Sequence, residues 1–342
     1  MIVKALAKVV DGVNLSEIEM MDVMQEIMSG RATSSQIGAF LTALRMKGET
    51  IEEITAAAKV MREKVTQIRA SIDKDTALID TCGTGGDKKG TFNISTISAF
   101  VIAGAGVKVA KHGNRSVSSN CGSADLMQAL GVNINVSIEK IEECIDKVGF
   151  GFLYAPLFHS AMKYVAVARR EMGIRTIFNL LGPLTNPAKA RAQLIGVYDS
   201  ALTEIFSMVL KNLGCKHTLI VHGSDGLDEI TITGKTKVTE LIADEIKTYS
   251  IHPEDFGMKV GSFEDLKGGD VEENALIAKE VLNGKEGTQR DVVVLNSAAA
   301  LIAAGKAKDF PQGIEISAES IDRGKAMTVL QELVKLTNEK SP

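Results

Sequence analysis

The segment Asp80-Thr-Cys-Gly-Thr-Gly-Gly-Asp87 directly follows the short apolar run Ala77-Leu-Ile, and Thr91-Phe-Asn-Ile-Ser-Thr96 opens the helix that comes after it. A strand, a glycine-rich turn and a helix start in this order predict an anion site, because backbone amides of the turn and of the first helical turn can point at the ligand. The spacing matches neither GxGxxG nor GxxxxGK followed by Ser or Thr, so a dinucleotide or Walker-type site is not supported. A loop that only turns the chain is the alternative, but the polar side chains at the helix start exceed what one N-cap needs.

A second polar loop, Lys111-His-Gly-Asn-Arg-Ser-Val-Ser-Ser119, follows the predicted strand at residues 107–110. In an α/β sheet ligands bind at the carboxyl ends of the strands, so we expect this loop and the glycine turn (residues 81–87) to face one crevice. Together they can hold a diphosphate, with Lys111 as a point charge and the hydroxyls as neutral donors. The alternative is an ordinary solvated loop, which has no need of so many small donors in a row.

Two adjacent carboxylates, Asp228 and Glu229 (the acid pair), follow a third predicted strand at residues 218–223. Such carboxylates at a strand end suit Mg²⁺, which takes hard oxygen ligands and keeps several waters while it bridges to substrate phosphates. The alternative is a plain acidic turn. The phosphate loops elsewhere in the chain favour the magnesium site.

Three arginines, Arg169, Arg170 and Arg175, lie on or just after a predicted helix within residues 159–187. Their planar guanidinium groups can bind a carboxylate in bidentate fashion. Arginines on helices are more often exposed or structural, so this stretch alone names no substrate.

The order of elements predicts an α/β protein with a small N-terminal helical domain. Three capping boxes begin helices near the N-terminus: Ser16/Glu19, Thr33/Gln36 and Thr50/Glu53. Gly30 and Gly48 stand where the first two of these helices should end. We therefore assign residues 1–70 to the helical domain and 71–342 to the α/β domain that binds the phosphates.

Beyond Thr76, apolar strand candidates alternate with helical stretches, which is typical of a mostly parallel sheet covered on both faces. The strands are expected at residues 77–80, 107–110, 150–155, 193–198 and 218–223, and the helices at 123–130, 137–148 and 199–213. Residues 238–249 are expected to form a strand or hairpin, and residues 318–336 one amphipathic helix.

Composition excludes several classes of protein. The chain has 342 residues, 45% of them hydrophobic, and a net charge of −4 from 39 basic and 43 acidic residues. Such a balance gives no electrostatic reason to expect nucleic acid or an anionic membrane as a partner. The four scattered cysteines form no CxxC pair, and no secretory signal or membrane span is visible, so a cytoplasmic location is expected.

Taken together, these blocks resemble the anthranilate phosphoribosyltransferases, which join anthranilate to phosphoribosyl diphosphate in tryptophan biosynthesis. The motifs GTGGD (83–87), NIST (93–96), KHGNRSVSS (111–119), GIRTIFNLLGPLTNP (173–187) and GLDE (226–229) occur in the family's order and at about its spacing. The resemblance implies a fold of the nucleoside phosphorylase type, in which helices from about residues 165–190 return to the small domain. It also implies a homodimer, a Mg²⁺ cofactor and the two small-molecule substrates.

The resemblance further implies roles for individual residues. Phosphoribosyl diphosphate contacts are expected from Gly83, Gly86, Asp87, Thr91, Asn93, Ile94, Ser95, Thr96, Lys111, His112, Gly113, Asn114, Arg115, Ser116, Val117, Ser118, Ser119 and Ser123. Anthranilate contacts are expected from Gly83, Asn114 and Arg169, with Arg169 facing the carboxylate. Ser95, Asp228 and Glu229 are the expected magnesium ligands, and Lys111, Asp228 and Glu229 the expected catalytic groups.

Two other classes of protein are alternatives. A pyrimidine nucleoside phosphorylase would share the fold and the need for phosphate, but it would lack an anthranilate site, and the GLDE and GIRTIFN blocks argue against it. A non-enzymatic relative that binds nucleic acid would have eroded phosphate motifs and a basic face, whereas the motifs here are intact and the calculated pI is about 5.9.

Overall fold

The computed structural model describes residues 1–69, 77–87, 89–115 and 120–339. The α-helices in these residues are α1 (Ile2–Val10), α2 (Glu17–Met28), α3 (Ser34–Lys47), α4 (Ile51–Lys64), α5 (Ile94–Gly104), α6 (Ser123–Ala129), α7 (Ile138–Lys147), α8 (Ala155–Phe158), α9 (Lys163–Met172), α10 (Ile177–Leu184), α11 (Leu202–Asn212), α12 (Val271–Leu282), α13 (Thr288–Ala303), α14 (Phe310–Asp322) and α15 (Lys325–Asn338). The strands are β1 (Ile79–Gly83), β2 (Val109–Gly113), β3 (Phe150–Tyr154), β4 (Ala192–Gly196), β5 (His217–Gly223), β6 (Thr236–Ile242) and β7 (Glu245–Ile251). Short 3-10 helices cover Ser160–Met162, Pro253–Phe256 and Phe263–Leu266. None of the described helices combines the length and the apolar character needed to cross a bilayer.

The three predicted capping boxes begin α2, α3 and α4. In each, the N-cap hydroxyl accepts a hydrogen bond from the N3 amide, and the N3 side chain accepts one from the N-cap amide. Gly30 and Gly48 have φ values of 73° and 88° just beyond the ends of α2 and α3. The predicted starts of these helices and the two glycine stops are therefore confirmed.

The helix α1 has no comparable signature in the sequence. Its N-cap is Met1, whose side chain makes no capping hydrogen bond. Burial of Ile2, Ala5 and Val9 against neighbouring helices holds it instead. Tertiary packing rather than local capping therefore defines α1, which is why the capping pattern shows three N-terminal helices where the structure has four.

Two helices from the middle of the chain pack against the N-terminal helices. Val165 of α9 and Leu180 of α10 belong to the same apolar cluster as the buried faces of α1–α4. The helix α9 lies against α3, and α10 lies against α4. The predicted domain boundary at residue 70 falls outside the described residues, so the exact division into domains stays a prediction.

The sheet has the order β3-β2-β1-β4-β5-β6-β7. The five strands from β3 to β5 are parallel, and β6 and β7 form an antiparallel hairpin at one edge. The predicted mostly parallel sheet and the predicted hairpin are thus confirmed. The chain builds outward from β1 to β3 and then returns to the other side of β1 with β4. The switch point between β1 and β4 is the place where an open α/β sheet binds ligands.

Both faces of the sheet are covered by apolar packing. Leu194 of β4 and Leu219 of β5 point into a cluster formed with α5, α13 and α15. The next residue in each strand, Ile195 and Ile220, belongs instead to the cluster that contains α10, α11 and the N-terminal helices. Because successive side chains of a strand alternate between faces, this division means that both faces are buried.

The C-terminal segment corrects one prediction. Residues 318–336 do not form one helix, because α14 ends at Asp322 and α15 begins at Lys325. Gly324 between them has a φ of 68°, in the left-handed region. Glycine adopts this conformation at little cost, and the chain can turn there while both apolar faces stay packed.

A buried carboxylate ties the N-terminal helices together. Glu53 is fully buried. It accepts hydrogen bonds from the amides of Leu15 and Thr50 at 2.9 and 2.8 Å, and its ion pair with Lys47 measures 2.9 Å. One side chain therefore joins the start of α4, the end of α3 and the segment before α2.

Replacing this carboxylate is expected to destabilise the protein far more than replacing its exposed neighbour. Glu53→Gln leaves the buried ammonium group of Lys47 without its counter-charge, and we expect a loss of about 3 kcal/mol in the free energy of unfolding. Glu52→Gln, one residue earlier on the exposed side of α4, is expected to change it by less than about 0.5 kcal/mol. Urea unfolding of both variants measures the difference, and similar losses would contradict the role given to Glu53.

Candidate active site

The glycine turn and the acid pair meet at the carboxyl ends of β1, β4 and β5. Gly83, the last residue of β1, is paired with Gly196, the last residue of β4. The amide of Gly85 donates to Asp228 Oδ2 at 2.9 Å. A Cβ atom on Gly83 would lie 2.5 Å from Asp228 Oδ2, and one on Gly196 would overlap the main chain of Asp228. No side chain therefore fits at either strand end while the acid pair keeps this position.

Negative charge accumulates around the acid pair. Burial raises the pKa of the Asp228 carboxyl group, and the neighbouring Asp87 raises it further. Burial also raises the pKa of Glu229, followed by the charge of Asp228, while the ammonium group of Lys111 lowers it. A cation among these carboxylates would favour their ionised forms, because it would offset the repulsion that raises both pKa values.

Magnesium fits this set of oxygen ligands. Across residues 1–69, 77–87, 89–115 and 120–339, no group of three or more His, Cys, Asp or Glu side chains forms a ready-made metal site. However, Mg²⁺ commonly takes only one or two carboxylates from a protein and completes its shell with water and substrate phosphates. The carboxylates of Asp228 and Glu229 and the hydroxyl of Ser95 are hard oxygen donors of that kind.

Lys111 is a buried lysine in β2. It is 1% exposed, and its Nζ donates to the carbonyl oxygen of Thr81 at 2.5 Å and to Ser95 Oγ at 3.2 Å. Burial lowers its pKa, whereas the charges of Asp80 and Glu229 raise it. Because a buried ammonium group needs anionic neighbours, Lys111 and the carboxylates of the site stabilise each other's charges.

Asp80 joins β1, β2 and the segment that follows α10. It is fully buried; Oδ1 accepts from the amide of His112 at 3.1 Å, and Oδ2 accepts from Asn186 Nδ2 at 2.8 Å. Asn186 Nδ2 also donates to the carbonyl oxygen of Ala110 at 2.8 Å. These bonds fix the end of β2, which carries Lys111, relative to β1.

Two histidines face each other beside this network. The Nε2 atoms of His112 and His159 lie 3.1 Å apart, and His112 Nδ1 lies 3.3 Å from the carbonyl oxygen of Gly182. Burial lowers the pKa of His112 to about 3, with the charge of His159 as the next cause, and burial lowers the pKa of His159 to about 4. Both rings are therefore neutral near pH 7, and a single proton can be shared between the two facing nitrogens.

The start of α5 carries polar atoms without partners. Asn93 Oδ1 and Thr96 Oγ1 are buried and have no hydrogen-bond partner within the described part of the chain. Asn93 is the N-cap residue of α5, yet its side chain makes no capping bond. Buried polar atoms normally have partners, so the hydroxyl of Thr96 is the group that can still donate to an anion, whereas the amides of Ile94 and Thr96 already donate to the carbonyl oxygens of Phe92 and Asn93.

Arg169 of α9 is half-buried without a carboxylate partner. Its guanidinium group lies 5.6 Å from the ring centroid of Phe178, and burial lowers its pKa. Among the residues that the structure describes, no carboxylate forms an ion pair with it. A partly buried guanidinium group in this state is suited to a carboxylate ligand.

Arg175 connects the segment before α10 to the glycine turn. Its guanidinium group stacks on the ring of Tyr198 at 4.0 Å and donates to the carbonyl oxygen of Gly86. A Cβ atom on Gly86, whose φ is 77°, would lie 2.9 Å from the same guanidinium group. The glycine turn thus contacts the segment between α9 and α10 as well as the acid pair.

Comparisons with known proteins identify the family of this chain. Residues 3–65 match a family model described as "Glycosyl transferase family, helical bundle domain", and residues 75–327 match "Glycosyl transferase family, a/b domain". Anthranilate phosphoribosyltransferase of Geotalea uraniireducens is 54% identical, with 99% of this chain and all of that protein covered. The enzyme of Acetivibrio thermocellus is also 54% identical, with 99% and 97% covered. The chain belongs to the anthranilate phosphoribosyltransferase family.

Solved structures of this family have the same fold. Anthranilate phosphoribosyltransferase from Thermus thermophilus superposes with a TM-score of 0.92 at 41% identity, covering 98% of this chain and 99% of that one. The Saccharomyces cerevisiae enzyme, solved in complex with PRPP and Mg, has a TM-score of 0.89 at 30% identity, covering 98% and 97%. The predicted fold class, a helical domain followed by a larger α/β domain, is thereby confirmed.

The residues that the anthranilate phosphoribosyltransferase motifs predict are distributed over four parts of the site. Contacts or electrostatic interactions join one group at the crevice: Gly83, Asp87, Ser95, Lys111, Asp228 and Glu229. A second group lies on the loop after β1 and at the start of α5: Gly86, Thr91, Asn93, Ile94 and Thr96. His112, Gly113, Asn114, Arg115 and Ser123 lie at the end of β2, in the loop and at the start of α6, and Arg169 lies on α9. Their roles toward substrates stay predictions.

Several of these residues have partners within the protein. Ile94 is buried in the apolar core and its amide donates to the carbonyl oxygen of Phe92 at 2.7 Å, so neither group is free for a ligand. Ser123 Oγ accepts from the amide of Asn114 at 3.2 Å, and Arg115 pairs with Asp125 at 2.6 Å. Arg115 is therefore engaged with α6 in this structure. Ser116, Val117, Ser118 and Ser119 lie outside the described residues.

Sequence reasoning does not identify the buried residues that hold the predicted site residues in place. In the sequence Asp80 is only the end of a strand, Asn186 only part of a motif, and His159 only the start of one. A carboxylate at the end of an apolar strand is a signal that can be read, but its partner Asn186 lies 106 residues away in sequence. Only the fold brings such a pair together.

Replacing one histidine of the facing pair is expected to make the free energy of unfolding depend less steeply on pH below neutrality. The unfolded chain protonates histidine near pH 6.5, whereas His159 in the fold has a pKa of about 4. The unfolded chain therefore binds more protons between these values, and the free energy of unfolding falls as the pH decreases through them. Between about pH 6.5 and about pH 5, the free energy of unfolding of His159→Gln should fall by about 1.5 kcal/mol less than that of the wild type.

Urea unfolding at both pH values measures this difference. Unfolding at about pH 8 serves as the reference, because histidine is neutral there in both states. Other titrating groups are common to the two proteins and cancel in the comparison. Equal losses for the wild type and His159→Gln would contradict the neutral, buried state of the pair.

Proposed function

We propose that this chain transfers the phosphoribosyl group of 5-phosphoribosyl 1-diphosphate to the amine of anthranilate, giving N-(5-phosphoribosyl)anthranilate and diphosphate in tryptophan biosynthesis. The observation that carries the proposal is the meeting of the glycine turn, buried Lys111 and the acid pair at one crevice. This arrangement occurs in a chain whose relatives at about 54% identity over their full length are named as this enzyme. A nucleoside phosphorylase activity has no comparable observation in its favour.

The diphosphate of the substrate would lie against the glycine turn and the start of α5. Amides of the glycine turn beyond Gly85, whose own amide donates to Asp228, would donate to its oxygens, with Lys111 as the nearby positive charge. The acid pair and Ser95 would hold Mg²⁺. When bound, the metal supplies positive charge that stabilises the departing diphosphate. The protein is accordingly expected to be inactive without a divalent cation.

Arg169 would bind the carboxylate of anthranilate, with Gly83 and Asn114 as the other contacts. The support for this role is the half-buried guanidinium group without a carboxylate partner among the described residues. The aryl amine of anthranilate is neutral at pH 7, so its lone pair can attack without prior deprotonation. No general base is needed at the start of the reaction, and His112, whose pKa burial lowers to about 3, would be a weak one.

The reaction would be a single displacement at C1 of the ribose. The sugar passes through an oxocarbenium-like state, by analogy with glycoside cleavage. The amine attacks the face opposite the leaving diphosphate, so the C1–O bond to the diphosphate breaks as the C1–N bond forms and the configuration at C1 is inverted. The amine proton then passes to solvent water. Holding the amine beside C1 can supply about 7–11 kcal/mol of the barrier.

Two further proposals concern assembly and location. A homodimer formed through the N-terminal helices is supported by apolar side chains that are exposed there, such as Val10 at 67%, Ile18 at 73% and Met46 at 83%. Residues 1–70 and the helices within about 165–190 would form the small domain, and the rest of residues 71–342 the large one. We also propose a cytoplasmic location.

Removing the charge of the acid pair is expected to abolish the metal-dependent reaction. The loss of anthranilate fluorescence is followed with phosphoribosyl diphosphate and Mg²⁺, and Asp228→Asn/Glu229→Gln should lower kcat/KM by about 100-fold or more. The matched control is Glu142→Gln/Glu143→Gln, a second pair of adjacent acids on α7, which should keep the wild-type value. No fluorescence loss with folded wild type would overturn the proposed function, and assays for nucleoside phosphorolysis and nucleic-acid binding would follow.

Removing the guanidinium group of Arg169 is expected to weaken anthranilate binding selectively. Arg169→Ala loses charge-assisted hydrogen bonds to the carboxylate, so the KM for anthranilate should rise about 10- to 100-fold. The KM for phosphoribosyl diphosphate should stay within about twofold. Arg170→Ala, on the exposed side of the same helix turn, is the control and should change neither value. Equal rises in both KM values for Arg169→Ala would refute its assignment to anthranilate.

A further inference from the structure

A buried asparagine of α13 holds the main chain beside the acid pair. Asn296 is fully buried. Its Oδ1 accepts from the amide of Ile230 at 3.0 Å, and its Nδ2 donates to the carbonyl oxygen of the same residue at 2.8 Å. Nδ2 also donates to the carbonyl oxygen of Val292 at 2.8 Å, within its own helix. One side chain thus satisfies both main-chain groups of the residue that directly follows Glu229.

The surroundings of Asn296 make a polar side chain there unusual. Residues 292–303 of α13 are all buried, and most of them are apolar residues of the large core cluster. An amide group in such surroundings is tolerated only when its hydrogen bonds are satisfied. An apolar side chain would suit the helix, but it would leave the amide and carbonyl groups of Ile230 without their partner. The asparagine therefore serves the turn that carries the acid pair.

The acid pair also needs to be held, because its members repel each other and approach other groups closely. Asp225, earlier in the same turn, accepts hydrogen bonds from the hydroxyls of Thr231 and Thr233 at 2.5 and 2.7 Å. On the β4 side, Gly196 leaves no space for the main chain of Asp228 to move closer. Asn296 restrains the far side of the turn, immediately after Glu229, from an element 66 residues away in sequence.

We propose that Asn296 is a positioning residue for the acid pair and sets the affinity of the site for its divalent cation. This inference rests on the proposed role of Asp228 and Glu229 as magnesium ligands. Mg²⁺ demands nearly ideal octahedral geometry, so its affinity depends on how firmly the ligand carboxylates are held. Partners that orient metal ligands from outside commonly change metal affinity by about 10- to 100-fold when they are removed.

The test is a metal titration of the full-length protein with Mn²⁺ as the probe, at a fixed concentration of phosphoribosyl diphosphate. The water-proton relaxation rate reports protein-bound Mn²⁺ because binding to the slowly tumbling protein enhances it. For Asn296→Leu, the half-saturating Mn²⁺ concentration should rise about 10-fold or more. The activity of the same variant should be partly restored by raising Mg²⁺, as a defect in positioning predicts.

The matched control is Thr337→Val. Thr337 is also a buried polar residue in the α/β region; it accepts from the amide of Asn133 at 3.2 Å and donates to the carbonyl oxygen of Leu333 at 2.8 Å. Thr337 has no contact with the turn of the acid pair, so Thr337→Val should lower the stability of the protein without changing its affinity for Mn²⁺. If Asn296→Leu does not fold, Asn296→Ser replaces it under the same criteria, because serine removes both hydrogen bonds to Ile230 with less crowding.

The outcomes separate this inference from the proposed function. If the folded Asn296 variant binds Mn²⁺ as the wild type does, or if Thr337→Val weakens Mn²⁺ binding equally, the positioning role is overturned while the function stands. If the wild type itself neither binds Mn²⁺ nor transfers phosphoribosyl groups, the proposed function fails and this inference fails with it.

Discussion

The charge balance around the buried ammonium group of Lys111 is the constraint on which the rest of the site depends. Its Nζ lies between the carbonyl oxygen of Thr81 and the hydroxyl of Ser95, where water cannot solvate it. The charge is tolerated because Asp80 and Glu229 are near enough to raise its pKa against the effect of burial. Lys111 in turn lowers the pKa of Glu229. Loss of any one of these charges would therefore change the ionisation of the others.

The topology of the sheet explains why these groups meet. The order β3-β2-β1-β4-β5 places the first strand in the middle, so the loops after β1 and β4 diverge to opposite sides and open a crevice between them. Glycine ends both strands, at Gly83 and Gly196, and this allows the turn after β5 to approach from the side. Parallel strands alone would bring three loops to one edge of the sheet. The two glycines also leave the space that lets a carboxylate come within hydrogen-bond distance of a backbone amide there.

Features that depend on short stretches of sequence can be predicted from it, and features that depend on partners far away in the chain cannot. The capping boxes of α2–α4 and the parallel strands rest on short patterns, and the structure has them where expected. The sequence does not show α1, because packing rather than capping defines it, and it does not show the break at Gly324, because one glycine within an amphipathic pattern is a weak stop signal. Asp80 and Asn296 act on residues far away in the chain, so no periodicity shows them. The motif residues of the site were recognisable because they are clustered on loops, whereas their supports are single polar residues inside apolar elements.

The residues that support the acid pair also explain how a site with so many negative charges can belong to a stable fold. Repulsion between Asp87, Asp228 and Glu229 opposes the folded state whenever all three are ionised. The main-chain hydrogen bonds from Asn296 and the packing around α13 offset that repulsion, because they stabilise the turn without contributing charge. A ligand that brings positive charge to the carboxylates would bind the folded state alone and stabilise it by mass action. The repulsion within the acid pair and the affinity for a cation then have one physical origin, since the repulsion that a cation relieves is the repulsion that the apolar helix must otherwise restrain.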